Sequence, residues 1–383
     1  MSFLTSLASA FKGGGFSRAP LSRCHIAAWP AAFHGEARAF DYRGAVGRAF
    51  LDNPVAQRAV RLVAEGVGSA ALAATVPALQ KLVTATSAGQ PLLETLAAQL
   101  LLHGNAFLQI VRDGAGRPVE LFALRPERMA MQPDASGWPA AWLYRVGEKE
   151  LVLPVEDEDG WPAIIHIRGF HPADDHYGAG CLSAADEAVA THNAAARWNR
   201  ALLENAARPS GALVMEGGEA ATLSTEQFER LKAELEGAFA GMANAGRPML
   251  LEGGLKWQSL SLSPADMDFA ALKAAAARDI ALAFGVPPML LGLPGDNTYA
   301  NYREANRALW RLTLLPLAGK ILSAIAEGLA PWFPEARLAV DPDRIPALAE
   351  DRERLWAQVS AAAFLSDDEK RAMLGLDNQG ASQ

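Results

Sequence analysis

His166, His171, Asp174, Asp175 and His176 bring three imidazoles and two carboxylates close together in the chain. These donor types hold zinc or iron, and with a metal-bound water they would make a metal-dependent hydrolase. The spacing argues against that chemistry. His166 falls in a strand-like run, Pro172 interrupts the segment after it, and no helical i, i+4 pairing turns two imidazoles toward one ion. The competing reading is a polar loop in which Asp174 or Asp175 caps and His171 meets neighbouring backbone.

The remaining candidates carry less. His103 and His192 fall on helical segments with no nucleophile nearby in sequence, and both read as structural. Glu156-Asp157-Glu158-Asp159 is a run of adjacent carboxylates that is expected to stay solvated in a turn. Gly253-Gly254-Leu255-Lys256 has glycines and a lysine without the spacing that wraps a phosphate, and reads as a hairpin turn. The sequence contains no Walker loop, dinucleotide fingerprint or nucleophile elbow. Trp138, Trp142, Trp161, Trp198, Trp257, Trp310, Trp332 and Trp356 are scattered, as packing anchors are. The expectation is a protein that is not an enzyme and needs no cofactor and no metal.

Composition narrows the partners. The 383 residues include 35 Lys and Arg against 43 Asp and Glu, a net charge of −8. Such a chain does not grip nucleic acid along a broad basic face, although a passage through which nucleic acid slides remains compatible with it. Cys24 and Cys181 are too few for a disulfide framework. The start, MSFLTSLASAFKGGG, has no basic leader and too short an apolar part for an export signal, and Phe3, Leu4, Leu7 and Phe11 fall on one helical face. The longest uncharged run, Thr95 to Val111, falls short of a bilayer span, so no membrane insertion is expected.

The elements that would position any site emerge from patterning. Residues 12 to 50 read as an irregular arm. Asn53 can cap a helix that Pro54 begins, with Val55, Ala59, Leu62 and Val63 at helical spacing. Pro91 opens another helix, striped by Leu92, Leu96, Leu100 and His103 and closed by Gly104-Asn105 in left-handed conformation. Strands are expected at Ala106 to Arg112, Val119 to Leu124, Trp142 to Val146, Leu151 to Val155 and Ile164 to Ile167. Leu182 to Asn205 is an Ala-rich helix. A β-α-β-β insert comes next, over about 207–262, with a strand at Ala212 to Met215 and a helix capped by Ser224 to Gln227. It ends in a hairpin of Met249 to Leu251 and Leu255 to Leu260 around Glu252-Gly253-Gly254. The next helix starts at Ser263-Pro264 and is striped by Phe269, Leu272, Ala276, Ile280 and Phe284. Pro287-Pro288 stops it, a Gly- and Pro-rich loop comes after, and a helix from Tyr299 to about Leu329 is expected to bend at Pro316. Ser366 caps a last helix, and Asn378 to Gln383 read as disordered. The class is α+β, mainly helical.

Three stretches carry a family resemblance: LLETLAAQLLLHGNAFLQIVRDGAGRPVELFALRPERM, IIHIRGFHPADDHYGAGCLSAADEAVATHNAAARWNRALLENAARPSGAL and IALAFGVPPMLLGLPGDNTYANYREANRALWRLTLLPL. With the tail AAFLSDDEKRAMLGLD, they resemble in order and spacing the portal proteins of long-tailed bacteriophages, which phage-derived gene-transfer particles also use. The first fifty residues do not match clearly. The resemblance implies an elongated subunit of wing, stem, clip and crown that closes into a ring, typically of twelve. It implies a wing over 53–181 after an N-terminal arm of 1–52, and a first stem helix over 182–206. The clip would be 207–263, the second stem helix 264–288 and the tunnel loop 289–298. A kinked helix and the rest of the wing would occupy 299–345, and a crown and tail 346–383.

On that resemblance the channel loop is Leu291, Gly292, Leu293, Pro294, Gly295, Asp296, Asn297 and Thr298. Lys273 and Arg278 are candidates to line the stem, and Arg247, Glu252, Lys256 and Trp257 to dock partners at the clip. Implied partners are other copies in a homododecamer, double-stranded DNA in the channel, the large terminase subunit, the major capsid protein and a head-tail adaptor. The implied location is the portal vertex of a virion, with synthesis in the host bacterial cytoplasm. Two readings compete: a hydrolase built on His166 to His176, and a helical adaptor that never touches DNA.

Overall fold

The computed structural model describes residues 41–157, 160–204, 211–215, 224–226, 229–230, 232–233, 255–259, 269–294 and 298–374. They divide into two compact units: one from Val60–Ser183 with the chain from Arg303, the other from Arg43–Ala59 with Ala184–Tyr302.

The first unit is built around β4 (Asn105–Arg112), an apolar run that pairs antiparallel with β5 (Pro118–Leu124) on one side and β9 (Ile164–Arg168) on the other. A second antiparallel sheet has the order β6 (Met129–Pro133), β7 (Pro139–Val146), β8 (Lys149–Pro154). Phe107, Leu124, Met129, Met131, Trp142, Leu153 and Ile164 form one buried cluster that joins the two sheets. The Phe107 and Trp142 rings meet edge to face at 4.8 Å, the arrangement that aromatic quadrupoles favour. Strand β6 went unread in the sequence because Met-Ala-Met-Gln-Pro lacks β-branched residues. The pair β1 (Leu72–Ala74) and β12 (Leu338–Val340) is too short to leave a periodic signal.

A short helix α3 (Pro77–Val83) and the two-residue pair β2 (Thr86–Ser87) with β3 (Gln90–Pro91) lead into α4 (Leu92–His103), which packs on β4. Pro91 stands at the N-cap of α4 and not inside it, and Gly104 ends it at φ 81°, a conformation open to glycine. The next residue, Asn105, is 1% exposed and ties three segments together. Its side-chain oxygen accepts from the Gly178 amide at 2.8 Å and from His166 Nε2 at 3.0 Å, while Nδ2 donates to the Gly178 carbonyl at 3.0 Å. Around it Gly104, Gly169, Gly178 and Gly180 place backbone against backbone. A Cβ on Gly178 would lie 2.2 Å from the Gly104 oxygen, and one on Gly180 2.7 Å from the Leu102 oxygen. This cluster anchors the turn that leads into α5 (Cys181–Glu204).

The helix expected from Tyr299 is continuous to Gly328 but not uniform. It comprises α7 (Tyr299–Leu309), a π-helical stretch Trp310–Leu314, and α8 (Leu315–Gly328). Pro316 has no amide hydrogen. The wider π turn, in which the Leu315 amide reaches the Trp310 carbonyl, redistributes backbone bonds just before the proline. By length and composition this helix could cross a membrane: its most apolar window has a mean hydropathy of 1.4 and is 33% buried. A search for uncharged runs alone, which singles out Thr95 to Val111, passes over it. In the fold α8 packs on β9 and β12, with Ile321, Leu322 and Ile325 fully buried. Gly328 sits where a Cβ would be 2.4 Å from Ile165 Cγ1.

Other expectations change in detail. Residues 42–51 are helical, as α1 (Tyr42–Val46) and a π turn Gly47–Leu51, and so are not irregular. The Tyr42 ring packs edge to face on His103 at 4.7 Å. Asp157 is not merely solvated but pairs with Arg112 at 2.5 Å. The Ser366 box caps α10 (Asp367–Met373) as expected, with Ser366 and Glu369 bonded reciprocally. Residues 378–383 and most of the Ser224 helix lie outside the described residues.

Gly178→Ala should lower stability by more than about 3 kcal/mol, because rigid backbone lies on both sides of the new methyl. Gly114→Ala, with nothing within 4 Å, should stay within about 0.5 kcal/mol of the parent. Urea denaturation of the two variants checks the contrast. Burial, helped by the charges of Arg168, His103 and His176, pushes His166 from 6.5 down to about 3. Its neutral form therefore supports the fold fully above pH 6.5, and that support is lost as pH falls toward 3. His166→Gln should flatten the acid limb of stability against pH by up to about 1.4 kcal/mol per pH unit, read from urea midpoints between pH 6.5 and 4.

Candidate functional site

The second unit carries the stretch that the sequence singles out. Asn53 is 1% exposed and caps α2 (Pro54–Gly68), accepting from the Val55 and Ala56 amides at 3.0 and 2.9 Å. Its Nδ2 also reaches His192 Nδ1 at 3.1 Å and Asn193 Oδ1 at 2.9 Å on α5. Asn193 in turn donates to the Arg48 carbonyl, and the Arg48 guanidinium grips both oxygens of Asp186 at 2.8 and 3.0 Å. Residues 43–59 are thus strapped along α5 by a polar network whose members satisfy one another. Burial first, then the charge of Lys273, lowers the proton affinity of His192, against a hydrogen bond with Asn193 that raises it.

Helix α6 (Phe269–Ala283) buries Ala276, Ala277, Ile280 and Ala281 along one face, continued by Phe284. Leu272, expected on that stripe, is 46% exposed, because the buried face is completed by alanines one position on. The Phe269 ring lies 5.6 Å from Trp198 of α5. Residues 264–268 lie outside the described residues. Lys273 is half-buried beside His192, whereas Arg278 is exposed.

Past the Pro287-Pro288 stop the chain makes a 3-10 turn, Pro288–Leu291, that sequence periodicity could not reveal. Gly292 closes it at φ 73°, donating to the Met289 and Pro288 carbonyls. Leu291 therefore ends a turn and does not begin a loop. Leu293 donates back to the Pro288 carbonyl at 3.3 Å. The Pro294 carbonyl accepts from Arg278 Nη2 at 2.9 Å, and Arg278 Nη1 lies 3.4 Å from the Ala274 carbonyl. Gly295, Asp296 and Asn297 lie outside the described residues. Thr298 caps α7 by accepting from the Asn301 amide, and Tyr299 beyond it is 83% exposed. Arg278 is the residue whose role sequence reasoning missed, since only the fold shows a helix arginine returning to a loop carbonyl sixteen positions on.

In the insert, β10 (Gly211–Met215) pairs antiparallel with β11 (Leu255–Ser259), placing Lys256 opposite Val214 and Trp257 opposite Leu213. The expected partner strand Met249 to Leu251, with Arg247 and Glu252, lies outside the described residues.

The histidine-rich segment belongs to the first unit, and its contacts are those of a polar loop. His171 Nδ1 accepts from the Ala173 amide at 3.1 Å, and Asp174 accepts from the His176 and Tyr177 amides at 2.7 and 2.8 Å. His166 turns toward Asn105 and stacks on Phe107 at 4.3 Å. Among the described residues no cluster of three or more metal-ligating side chains forms.

Comparison with known proteins adds to this geometry. An uncharacterised protein of Rickettsia felis is 38% identical over 341 residues, covering 86% of this chain and 88% of the relative. A chain from the neck of a native gene transfer agent particle, computed with C12 symmetry, is 48% identical. It aligns over 88% of this chain and 93% of its own length, at a TM-score of 0.67. An HK97-family phage portal protein from Corynebacterium diphtheriae, at 20% identity and a TM-score of 0.55, covers 78% of this chain and 98% of its own and shares the fold. Residues 54–375 match the family described as phage portal protein, and the chain belongs to that family.

Proposed function

We propose that this chain is the portal subunit of a phage-like or gene-transfer particle, a structural and not a catalytic protein. Its copies close into a ring, typically of twelve, at one vertex of the capsid. Double-stranded DNA enters and leaves through the ring, and the large terminase subunit, the major capsid protein and a head-tail adaptor dock on it. The observation that carries this reading is the near full-length similarity to a chain from a particle neck computed with twelvefold symmetry.

The unit boundaries accompany it as part of the proposal: wing over 53–181, stem helices over 182–206 and 264–288, clip over 207–263, and crown from 346. Physical arguments support the loop assignment at 291–298. Gly292 closes the 3-10 turn that follows the helix, Leu293 bonds back to the Pro288 carbonyl, and Arg278 reaches the Pro294 carbonyl. A Gly- and Pro-rich connection between two helices is the kind of segment that can adjust as a helical polymer passes. Arg278 bonds the loop and Lys273 is partly covered, and both stay candidates to line the stem. Lys256 and Trp257, with Arg247 and Glu252, stay candidates for clip docking.

Purified protein should form rings, and twelve copies of a 40.7 kDa chain amount to about 490 kDa for a closed cyclic assembly. Removing Leu293 to Thr298 should leave ring formation intact, seen in electron micrographs. The same deletion should cut DNA packaging or retention, measured as nuclease-protected DNA per particle. Unchanged packaging would favour an adaptor without DNA contact, and a strictly monomeric protein under several salt conditions would sink the ring.

A further inference from the structure

Two surfaces of the first unit are more apolar and more exposed than a finished surface requires. One lies on the long helix. Leu312 is 77% exposed, Pro316 one turn later is exposed, and a side chain on Gly319 would meet open space. Cations flank this strip: Arg311, whose side chain is 63% exposed and 3.9 Å from Asp351, and Lys320, which is exposed with Nζ 3.4 Å from the Arg168 carbonyl.

The other surface is the hairpin of α9 (Ala349–Ala361) and α10. Its base is fixed. Arg307 bonds Glu350 at 2.5 Å, and Arg352 pairs with Asp343 and donates to the Leu374 carbonyl at 3.1 Å. Its tip is bare: Val359 is the buried residue of α9, α10 has none, and Phe364 between them is 87% exposed. Two helices that bury so little on their own need another surface to cover their apolar side. Asp367 and Asp368, just beyond Phe364, are exposed carboxylates.

The two surfaces are complementary, one apolar with basic edges and the other apolar with an acidic edge. Within one chain they approach at the hairpin base, where Arg311 lies 3.9 Å from Asp351, while Leu312 and Phe364 both stay exposed. Roughly 18 Å of helix carries the tip away from the Glu350 anchor. Two different patches that fit each other across copies make a heterologous contact, the kind that generates a ring.

We propose that Phe364, with Asp367 and Asp368, docks on the Leu312–Pro316 strip of a second copy of this chain, where Arg311 and Lys320 receive the carboxylates. The contact rests on the ring reading above and assigns it a specific lock between neighbours. Burying the two apolar surfaces supplies the attraction, and the charges fix which patch faces which.

Cross-linking tests it on the full chain. In a background of Cys24→Ser and Cys181→Ser, the pair Leu312→Cys and Phe364→Cys should give, on oxidation of assembled rings, a ladder of covalent multiples up to the ring size. Either cysteine alone should give none. Rings with no ladder would overturn the contact while leaving the ring standing. A covalent dimer from Leu312→Cys alone would overturn it too, by showing the strip meeting itself. Absence of rings in the unsubstituted chain would remove the ring reading and the contact together. As a second readout, Leu312→Asp should require about tenfold or more higher protein concentration to assemble, with unchanged circular dichroism, while Leu312→Met assembles normally. Unaltered assembly of Leu312→Asp would count against the contact and would assign the strip to a different protein.

Discussion

The first unit depends on one buried carboxamide. Asn105 follows the Gly104 cap of α4 and opens β4, and its side chain bonds both the amide and the carbonyl of Gly178 as a neighbouring strand would. Removing such a group would leave two backbone polar atoms in an apolar interior, each costing about 1–3 kcal/mol. The four glycines around it answer the same requirement, since backbone can lie this close to backbone only where no Cβ intervenes. His166 completes the asparagine's bonding through Nε2, and its burial favours the neutral form. The most suggestive catalytic-looking histidine in the chain is therefore committed to architecture.

A similar economy explains the long helix. It passes a proline without a break because the π-helical turn before Pro316 shifts the bonding pattern by one residue. Its two sides are held by glycines on other elements or on itself. At Gly66 a Cβ would fall 2.7 Å from Leu314, and Gly328 meets Ile165. Close approach on these sides leaves Leu312 and Pro316 turned outward. The apolar strip left on the surface thus adjoins the π-helical turn that accommodates the proline.

How much of this was legible in the sequence depended on the range of the interaction. Local chemistry read well: Asn53 with Pro54, Gly104 after a leucine stripe, and the Ser366–Glu369 box all lie within a turn of the groups they satisfy. The α+β class and most strand positions could be read from alternation. The features that stayed hidden need contacts across distance. Nothing near Asn105 announces Gly178, and nothing near Asn53 announces His192 on a helix far along the chain. Arg278 read as a free charge because its partner is a carbonyl, which carries no sequence signal. Leu272 read as buried because a leucine outweighs the alanines that in fact form the contact face. At the candidate loop the Gly and Pro residues correctly marked a departure from helix, but not that Pro288–Leu291 would make a turn of its own.

The charge distribution bears on what a conduit for DNA requires. A protein that neutralises many phosphates binds tightly and releases slowly, because each contact frees counterions that must be recovered on departure. Here several arginines are already engaged inside the chain: Arg48 with Asp186, Arg112 with Asp157, Arg307 with Glu304, Glu350 and Asp351, and Arg352 with Asp343. Arg278 directs one nitrogen to the Pro294 carbonyl and another toward the Ala274 carbonyl. The whole chain is net acidic. Cations used this way stiffen the subunit without offering a ladder of phosphate sites. On the proposed reading, passage would then be governed by the shape of the opening, with long-range repulsion keeping the polymer from settling on the wall.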